Sequence, residues 1–389
     1  MNIETNINEK INKLAAELGF IQARPNIVQP ATAYFDLLGD GLRRQLISAQ
    51  NALGNGGTQS YVLRPEFTIC IAQDYIHSLK NGQTKPARFC YSGPVFRLNG
   101  QHEYSEQVQT GIEIFAAKDS FQADIETIEY SLKALNNLGL KQVDMQMGDY
   151  GMFFALLKNL DISDTWRNKL KRLFLAHDKL ENLLNQFSNI KLAPANAERA
   201  AFLKTMENLD GDAAQMLVEN VLSISNIDLI GGRTAGEIAE RFLAQAALAA
   251  TPDLPDDVLQ IIKQYLAISG HGKLAISQLE AFDQKYKVNL QPDIAALAKR
   301  FAAIDELKIN GFSQDNITFR TLFGRGFEYY TGMVFEITEA SKADAKPLIG
   351  GGRYDILAKQ LGAKQPINAV GASLWNARIA NLLQGDANV

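Results

Sequence analysis

Charged side chains recur inside otherwise apolar stretches of this sequence. Four stretches share this property, at residues 63–68, 93–113, 324–336 and 350–355. A charge left unpaired in an apolar interior costs on the order of several kcal/mol, so each buried one must form an ion pair or contact a ligand. An ion pair explains any single one of them. The case for a binding site therefore depends on the four stretches taken together.

The histidines and cysteines of the sequence predict neither a metal site nor a disulfide. The histidines, His77, His102, His177 and His271, are scattered without the spacing of metal ligands, and we predict no metal. Cys70 and Cys90 lie in the apolar segments FTICIA and RFCYSG. Apolar surroundings favour buried thiols over a disulfide.

Composition predicts a folded globular protein. Hydrophobic residues make up 46% and charged residues 21% of the 389 residues, a length typical of two to three domains of about 150 residues. The formal net charge of -4 argues against a dominant surface for nucleic acid, which would need many Lys and Arg side chains. The sequence contains neither a secretory signal pattern nor an apolar run long enough for a membrane span. We therefore expect a cytoplasmic protein without a membrane partner.

Hydrophobic periodicity predicts a mixed domain that is interrupted by helices. Apolar residues from Ile7 to Leu18 predict a helix with a capping box at Asn6 and Glu9 and a stop at Gly19. Strand patterns follow in RFCYS, VFRL, VQTGIEIF and VDMQM, and they return in ITFRTLF, MVFEIT and NAVGAS, with a glycine turn at 350–352. Helical patterns fill the middle. The predicted domain parts are residues 1–158 and 317–389, with a helical insertion at 159–316.

Taken together, the charged stretches resemble the signature segments of histidyl-tRNA synthetases, in the same order and at comparable spacing. Phe96-Arg97 with Gln109 and Glu113 is similar to class II motif 2. The segment RGFEYYTG at 325–332 resembles the histidine-specific segment, and GGGRYD at 350–355 resembles its glycine-rich companion. This resemblance implies an α+β fold: a class II aminoacyl-tRNA synthetase-like antiparallel sheet core flanked by helices, with the all-helical insertion between its two parts.

The resemblance also implies how a bound histidine is held. Carboxylates suit its ammonium, an arginine suits its carboxylate, and hydrogen-bonding groups suit its two ring nitrogens. The expected contacts are Glu66, Thr68 and Gln109 to the amino group, Arg325 to the carboxylate, and Glu113 and Tyr330 to the imidazole, with Tyr329 and Arg97 lining the pocket.

Three features depart from an aminoacylating enzyme. Residues 98–106 contain two glutamates and no arginine, so this loop lacks the positive charge that a triphosphate needs. Residues 374–378 resemble the end of class II motif 3 and keep its arginine, Arg378. Trp375, however, stands where the motif has a glycine that would let adenine approach. The chain ends at Val389, without room for a separate C-terminal anticodon-binding domain. We therefore expect neither ATP nor tRNA binding.

A chain that keeps the amino-acid contacts but loses those to nucleotide resembles the ATP phosphoribosyltransferase regulatory subunits. The resemblance covers most of the sequence, including residues 29–44 and LRPEFT at 63–68. It implies a non-catalytic subunit that a short-form catalytic subunit needs for activity, and that senses histidine for feedback control of the first step of histidine biosynthesis. We expect a homodimer that joins catalytic subunits in a hetero-oligomer, with histidine as ligand and with no catalytic residue and no cofactor.

Two alternatives remain open. One is a truncated histidyl-tRNA synthetase or another histidine-adenylating enzyme, which Trp375 and the arginine-free loop argue against. The other is a paralogue that transfers an amino acid to a different acceptor, or a protein-binding module with an empty pocket. The retained set of ligand-binding residue types argues against an empty pocket.

Overall fold

A computed structural model describes residues 3–38, 40–49, 60–82, 87–99, 103–175, 209–224, 236, 238–239, 242–243, 254–309, 311–340 and 346–385. The chain divides into two compact units. The first comprises Met1–Leu156 and Tyr265–Val389, and the second comprises Leu157–Gln264. The predicted insertion at 159–316 extends beyond the second unit, since residues from Tyr265 onward belong to the first.

The first unit is built on a nine-stranded sheet and a three-stranded sheet. Their strands, in chain order, are β1 (Ile21–Gln22), β2 (Val28–Pro30), β3 (Ser48–Ala49), β4 (Tyr61–Leu63), β5 (Ala87–Asn99), β6 (Glu103–Phe115), β7 (Val143–Asp149), β8 (Ser269–His271), β9 (Ile317–Arg320), β10 (Met333–Glu339), β11 (Ile349–Arg353) and β12 (Ala369–Trp375). The large sheet has the order β1-β5-β6-β12-β11-β10-β7-β9-β8, and the small one β2-β4-β3. Neighbouring strands are antiparallel, apart from the parallel pairs β1 with β5 and β7 with β9.

Helices account for most of the remaining described residues. In chain order they are α1 (Ile3–Glu17), α2 (Thr32–Leu37), α3 (Asp40–Arg43), α4 (Thr68–Lys80), α5 (Ser120–Asn137), α6 (Tyr150–Asn159), α7 (Asp164–Leu175), α8 (Gly211–Ile224), α9 (Asp256–Leu266), α10 (Gly272–Tyr286), α11 (Gln291–Glu306), α12 (Leu357–Gln360) and α13 (Asn376–Gly385). Within the described ranges, no helix is both long and apolar enough to cross a membrane.

The N-terminal helix follows its apolar pattern but starts earlier than predicted. Ile7, Ile11 and Leu14 form its buried stripe, and the helix begins at Ile3, so the predicted capping box at Asn6 and Glu9 lies inside it. That part of the prediction was wrong, because a polar pair at capping-box spacing also occurs within helices. The predicted stop was correct. Gly19 has a positive φ of 80°, the conformation that commonly ends a helix at a glycine.

Three strand predictions need correction. RFCYS and VFRL are one strand, β5, because Gly93 and Pro94 remain in register with Gln109 and Val108 of β6. The glycines 350–352 lie within the central strand β11 and not in a turn, because they give space to the side chains that lie above the sheet. The short strand β8 was not predicted. It pairs with β9 at the edge of the large sheet, which accounts for the place of this part of the chain in the first unit.

The second unit has its own apolar cluster. Ala214, Val218 and Ala239 are buried at its centre, and partly buried hydrophobic side chains pack against them: Leu209, Leu217, Ile238, Phe242 and Leu243. The spacing of Thr234 and Glu237 predicts a capping box at the start of a helix, but both residues lie outside the described residues.

Candidate functional site

A cavity in the first unit brings most of the predicted ligand contacts together. Its volume is about 290 Å³, counted with its opening to solvent. It is lined by Glu66, Thr68, Gln109, Glu113, Arg325, Phe327, Tyr329, Tyr330, Gly350, Tyr354, Gly371, Ala372 and Ser373. All of the predicted site residues are in this set except Arg97.

The floor of the cavity is made by three adjacent strands, and small residues keep it open. Gly371 of β12 pairs with Glu113 of β6 and with Gly352 of β11. Two residues further along β12, Ser373 pairs with Gly111 of β6 and with Gly350 of β11. A Cβ on Gly350 would lie 2.2 Å from Arg325 Nη2. Only glycine fits there while Arg325 lies this close to the strand. The absence of side chains on the glycines of β11 therefore lets other side chains of the site, such as Arg325, pack directly against this strand.

Glu113 lies at the bottom of the cavity and is fully buried. Thr68 Oγ1 donates a hydrogen bond to its Oε1 at 2.7 Å, and the Tyr354 hydroxyl donates to its Oε2. Burial raises the pKa of Glu113 to about 8, although both hydrogen bonds act in the opposite direction. This carboxyl group is therefore mostly protonated at neutral pH in the empty site, and it can exchange a proton with a ligand near neutrality.

Glu66 and Thr68 come from the start of α4. The two Glu66 oxygens accept hydrogen bonds from the backbone N–H groups of Thr68, at 2.7 Å, and Ile69, at 2.8 Å. A carboxylate in this position satisfies amide groups that have no partner within the helix, and the helix dipole favours it. Burial nevertheless raises the pKa of Glu66. Each carboxylate oxygen has a second lone pair, so Glu66 can cap the helix and still accept a hydrogen bond from a ligand.

Arg325 and Tyr330 form a hydrogen-bonded pair in the wall of the cavity. Arg325 Nη1 donates to the Tyr330 hydroxyl at 2.7 Å, and its Nε donates to Glu336 at 3.1 Å. The backbone N–H of Arg325 donates to the Tyr150 hydroxyl at 3.1 Å, and the Tyr150 ring stacks on Tyr330. These contacts fix the guanidinium, and its Nη2 lies above Gly350.

Gln109 contributes an unsatisfied acceptor. Its side chain is buried, and among the described residues its Oε1 has no hydrogen-bond partner. An orphaned buried acceptor costs about 1–3 kcal/mol, so one that lines a cavity has a physical reason to accept a hydrogen bond from a bound molecule. A ligand N–H or ammonium group in the cavity would satisfy it.

Arg97 is placed differently from the prediction. It is not among the residues that line the cavity; its Nε donates to the Pro65 carbonyl at 2.9 Å, and its guanidinium lies over the Trp375 ring. Burial lowers the pKa of Arg97 to about 10, which the nearby Glu66 opposes. Arg97 therefore lies beside the Trp375 ring and not in the wall of the cavity. Residues 100–102 of the arginine-free loop lie outside the described residues.

Sequence reasoning missed Tyr354, Phe327 and Ser373 as lining residues. Tyr354 is the most important, because its hydroxyl contacts Glu113 directly. The available signal was the segment GGGRYD itself. Its tyrosine immediately follows a charged residue at the end of a strand.

A buried ion network holds this end of β11. Arg353 Nε donates to Asp124 Oδ1 at 2.9 Å, and Arg300 Nη2 donates to Asp124 Oδ2 at 3.0 Å. A second Arg353 nitrogen, Nη1, donates to Asp355 at 2.8 Å. Tyr354 lies between two members of this network in the sequence, so the network links α5 and α11 to the residue that orients Glu113.

Comparison with known proteins places the chain in a family. The family model for histidyl-tRNA synthetase matches residues 2–226 and 238–379. The ATP phosphoribosyltransferase regulatory subunit of Brucella anthropi is 33% identical over 361 residues, which are 92% of each chain. The corresponding protein of Brucella ovis is also 33% identical, over 357 residues that cover 92% of this chain and 91% of its relative.

Solved structures agree on the fold. An ATP phosphoribosyltransferase regulatory subunit/histidyl-tRNA synthetase from Bacillus halodurans C has a TM-score of 0.67 at 19% identity, over 98% of this chain and 79% of the other. A histidyl-tRNA synthetase from Nostoc sp. PCC 7120 has a TM-score of 0.60 at 14% identity, over 99% and 72%. The predicted α+β class II synthetase-like fold is confirmed. The chain therefore belongs to the ATP phosphoribosyltransferase regulatory subunit family.

Proposed function

We propose that this chain is a non-catalytic regulatory subunit that binds free histidine in the cavity and thereby controls a short-form ATP phosphoribosyltransferase catalytic subunit. Its family membership supports the regulatory role. The observation that carries the ligand is the set of polar groups around one small cavity: Glu66, Gln109, Glu113, Arg325 and Tyr330. The chemistry of phosphoribosyl transfer would then belong to the partner chain.

The polar groups match the three ends of a histidine molecule. Its ammonium can donate to the unsatisfied Gln109 Oε1 and to Glu66, and its carboxylate can accept from Arg325. Its imidazole suits the other end of the floor, where Glu113 is held by Thr68 and Tyr354. The raised pKa of Glu113 is suitable for a group that shares a proton with an imidazole, whose usual pKa is about 6.5. A ligand without a ring nitrogen could not share a proton with this buried carboxyl, and this difference is a basis for selectivity.

Regulation requires that histidine binds two states of the assembly with different affinities. We propose that the chain forms a homodimer, that catalytic subunits join it in a hetero-oligomer, and that histidine shifts the complex towards the inhibited state. We propose that this shift starts at the segment around Arg325 and Tyr330, because the segment lines the cavity and also contacts Tyr150 at the start of α6.

Calorimetric titration of the purified chain with histidine tests the ligand. We expect saturable binding to the wild-type protein and a loss of at least about tenfold in affinity, or about 1.4 kcal/mol, in Glu113→Ala. Glu280→Ala is the matched control, because Glu280 is exposed on α10, and it should bind like the wild type. Wild-type protein that binds no histidine, or Glu113→Ala that binds it unchanged, would contradict the proposal.

The same preparation tests the main alternative. A histidine-adenylating enzyme would catalyse a histidine-dependent exchange of pyrophosphate into ATP. We expect no exchange above the background of a Glu113→Ala control. Measurable exchange would mean that the chain activates histidine and is not solely a regulatory subunit.

A further inference from the structure

Arg325 lies between the cavity and a second carboxylate, that of Glu336. Its guanidinium lies over Gly350 of β11. In the sheet, Gly350 is paired with Ser373 of β12 on one side and with Glu336 of β10 on the other. Residues directly opposite each other on neighbouring strands point to the same face. Ser373 lines the cavity and Glu336 does not, so Glu336 lies on the side of Arg325 that faces away from the cavity.

Glu336 is the counter-ion of this arginine in the protein without ligand. Its Oε1 accepts from Arg325 Nε at 3.1 Å, and the side chains of Glu336 and Arg325 are 24% and 7% exposed. Arg325 Nη1 donates to the Tyr330 hydroxyl. In the described part of the chain these two nitrogens make the side-chain hydrogen bonds of Arg325, and Nη2 remains for a ligand. A ligand carboxylate at Nη2 would therefore share one guanidinium with Glu336.

This sharing would place two negative charges close together in a largely buried site. Like charges repel each other, and the repulsion is stronger in a protein interior than in water. Glu336 also lies close enough to Arg378 to oppose the lowering of the Arg378 pKa that burial causes. Its negative charge therefore acts on two guanidinium groups, and it should weaken the binding of an anionic group by Arg325.

A carboxylate beside an arginine can also hold that arginine in position, and the other contacts of Arg325 decide between the two effects. Its backbone N–H donates to the Tyr150 hydroxyl at 3.1 Å, its Nη1 donates to the Tyr330 hydroxyl at 2.7 Å, and its guanidinium packs on Gly350. These contacts remain when the carboxylate of Glu336 is removed. The position of Arg325 is therefore kept without Glu336, whereas the competition for its charge is lost.

We propose that Glu336 is an affinity-determining residue, which competes with the carboxylate of the ligand for Arg325 and so weakens the binding of a free amino acid. This inference rests on the proposed function for the ligand and its orientation. A sensor has to release its ligand when the concentration of the ligand falls, and an internal competitor makes release easier. The same competition lowers the preference of the site for a carboxylate over an uncharged group at this end of the ligand.

Calorimetric titration of wild type and Glu336→Gln with histidine and with histidinamide tests the inference. Histidinamide keeps the ammonium group and the ring but has an uncharged amide in place of the carboxylate. Glu336→Gln should bind histidine at least about tenfold more tightly than wild type, and histidinamide within about threefold of wild type. Glu339→Gln is the matched control. Glu339 is three residues further along β10 and therefore on its opposite face, so this variant should bind both ligands like wild type.

Thermal unfolding provides a second measurement. Glu336→Gln leaves the buried Arg325 without its counter-ion, so this variant without ligand should unfold at a lower temperature than wild type. Saturating histidine supplies a new carboxylate, and it should raise the unfolding temperature of the variant by more than it raises that of wild type. If Glu336→Gln does not fold, Glu336→Asp takes its place. Its shorter side chain draws the carboxylate away from Nε and should tighten histidine binding at least about threefold.

The possible results separate this inference from the proposed function. A variant that is less stable and binds histidine no more tightly than wild type would show that Glu336 is purely structural, and it would overturn the inference alone. Equal gains for histidine and histidinamide would also overturn it, because the effect would then not depend on the ligand carboxylate. Wild-type protein that does not bind histidine would reject the proposed function together with the inference.

Discussion

The carboxylate of Glu113 lies directly over the α-carbon of Gly371, its cross-strand partner on β12. A Cβ at Gly371 would lie 1.7 Å from Glu113 Oε2, far inside van der Waals contact. The same carboxylate accepts a hydrogen bond from the hydroxyl of Tyr354. The deepest part of the cavity therefore exists only because β12 has a glycine at this position.

Gly371→Ala should displace Glu113 and weaken both the fold and the site. Overpacking of this kind usually costs about 1–3 kcal/mol, and a displaced Glu113 can no longer meet the ligand. Thermal unfolding and histidine titration measure the two effects. Gly385→Ala is the control, because nothing lies within 4 Å of its Cβ position. Unchanged histidine affinity in Gly371→Ala would contradict the described position of Glu113.

The stability of the empty protein should depend on pH through Glu113. Burial raises the pKa of Glu113 in the folded chain to about 8, from an ordinary value of 4.5. The folded state therefore holds this proton more tightly than the unfolded state. The contribution of Glu113 is fully present below about pH 4.5 and is lost as pH rises through about 8.

Glu113→Gln removes this titration while it keeps a neutral side chain of similar shape. Urea unfolding at several pH values should show wild type losing stability relative to Glu113→Gln between about pH 4.5 and pH 8. Parallel curves for the two proteins across that range would mean that Glu113 does not titrate as its surroundings imply.

Gln109→Leu should separate binding from stability. The substitution removes an acceptor that has no partner in the described part of the chain, so the empty protein should be as stable as wild type or more stable. Histidine should bind about 10–100-fold more weakly, because a hydrogen bond from a charged ammonium contributes about 1.5–3 kcal/mol. Thermal unfolding with and without histidine measures both. A variant that is destabilised when empty and binds normally would show that Gln109 is structural.

Asp124→Asn should damage the network behind Tyr354. Asp124 is buried and pairs with Arg353 and Arg300. Removal of one partner from a buried ion pair leaves uncompensated charge and usually costs about 3–5 kcal/mol. Urea unfolding measures the loss. Glu17→Gln breaks only the exposed pair with Lys13, whose atoms are 3.9 Å apart, and should cost less than about 1 kcal/mol. Equal losses in the two variants would contradict the importance of the network.

The sequence brought together residues that line one cavity, but it predicted the elements that carry them less well. Local segments such as RGFEYYTG indicate residue types and order, so Glu113, Arg325 and Tyr330 could be assigned to one site. The pattern of glycines in β11 predicts a turn, but the glycines lie in a strand. They are needed because side chains from distant segments, such as Arg325, lie against them. Nothing local indicates that Asp124 pairs with Arg300, 176 residues further along the chain. The position of Arg97 beside Trp375 likewise depends on a tertiary contact.

The most direct test of the central claim is the rate of ATP phosphoribosyltransferase in a complex reconstituted from this chain and a short-form catalytic subunit, measured as histidine is added. Wild-type and Glu113→Ala complexes should be equally active without histidine. We predict that histidine inhibits the wild-type complex and that the Glu113→Ala complex needs at least about tenfold more histidine for the same inhibition. Equal inhibition of the two complexes would place histidine sensing outside this cavity and contradict the account.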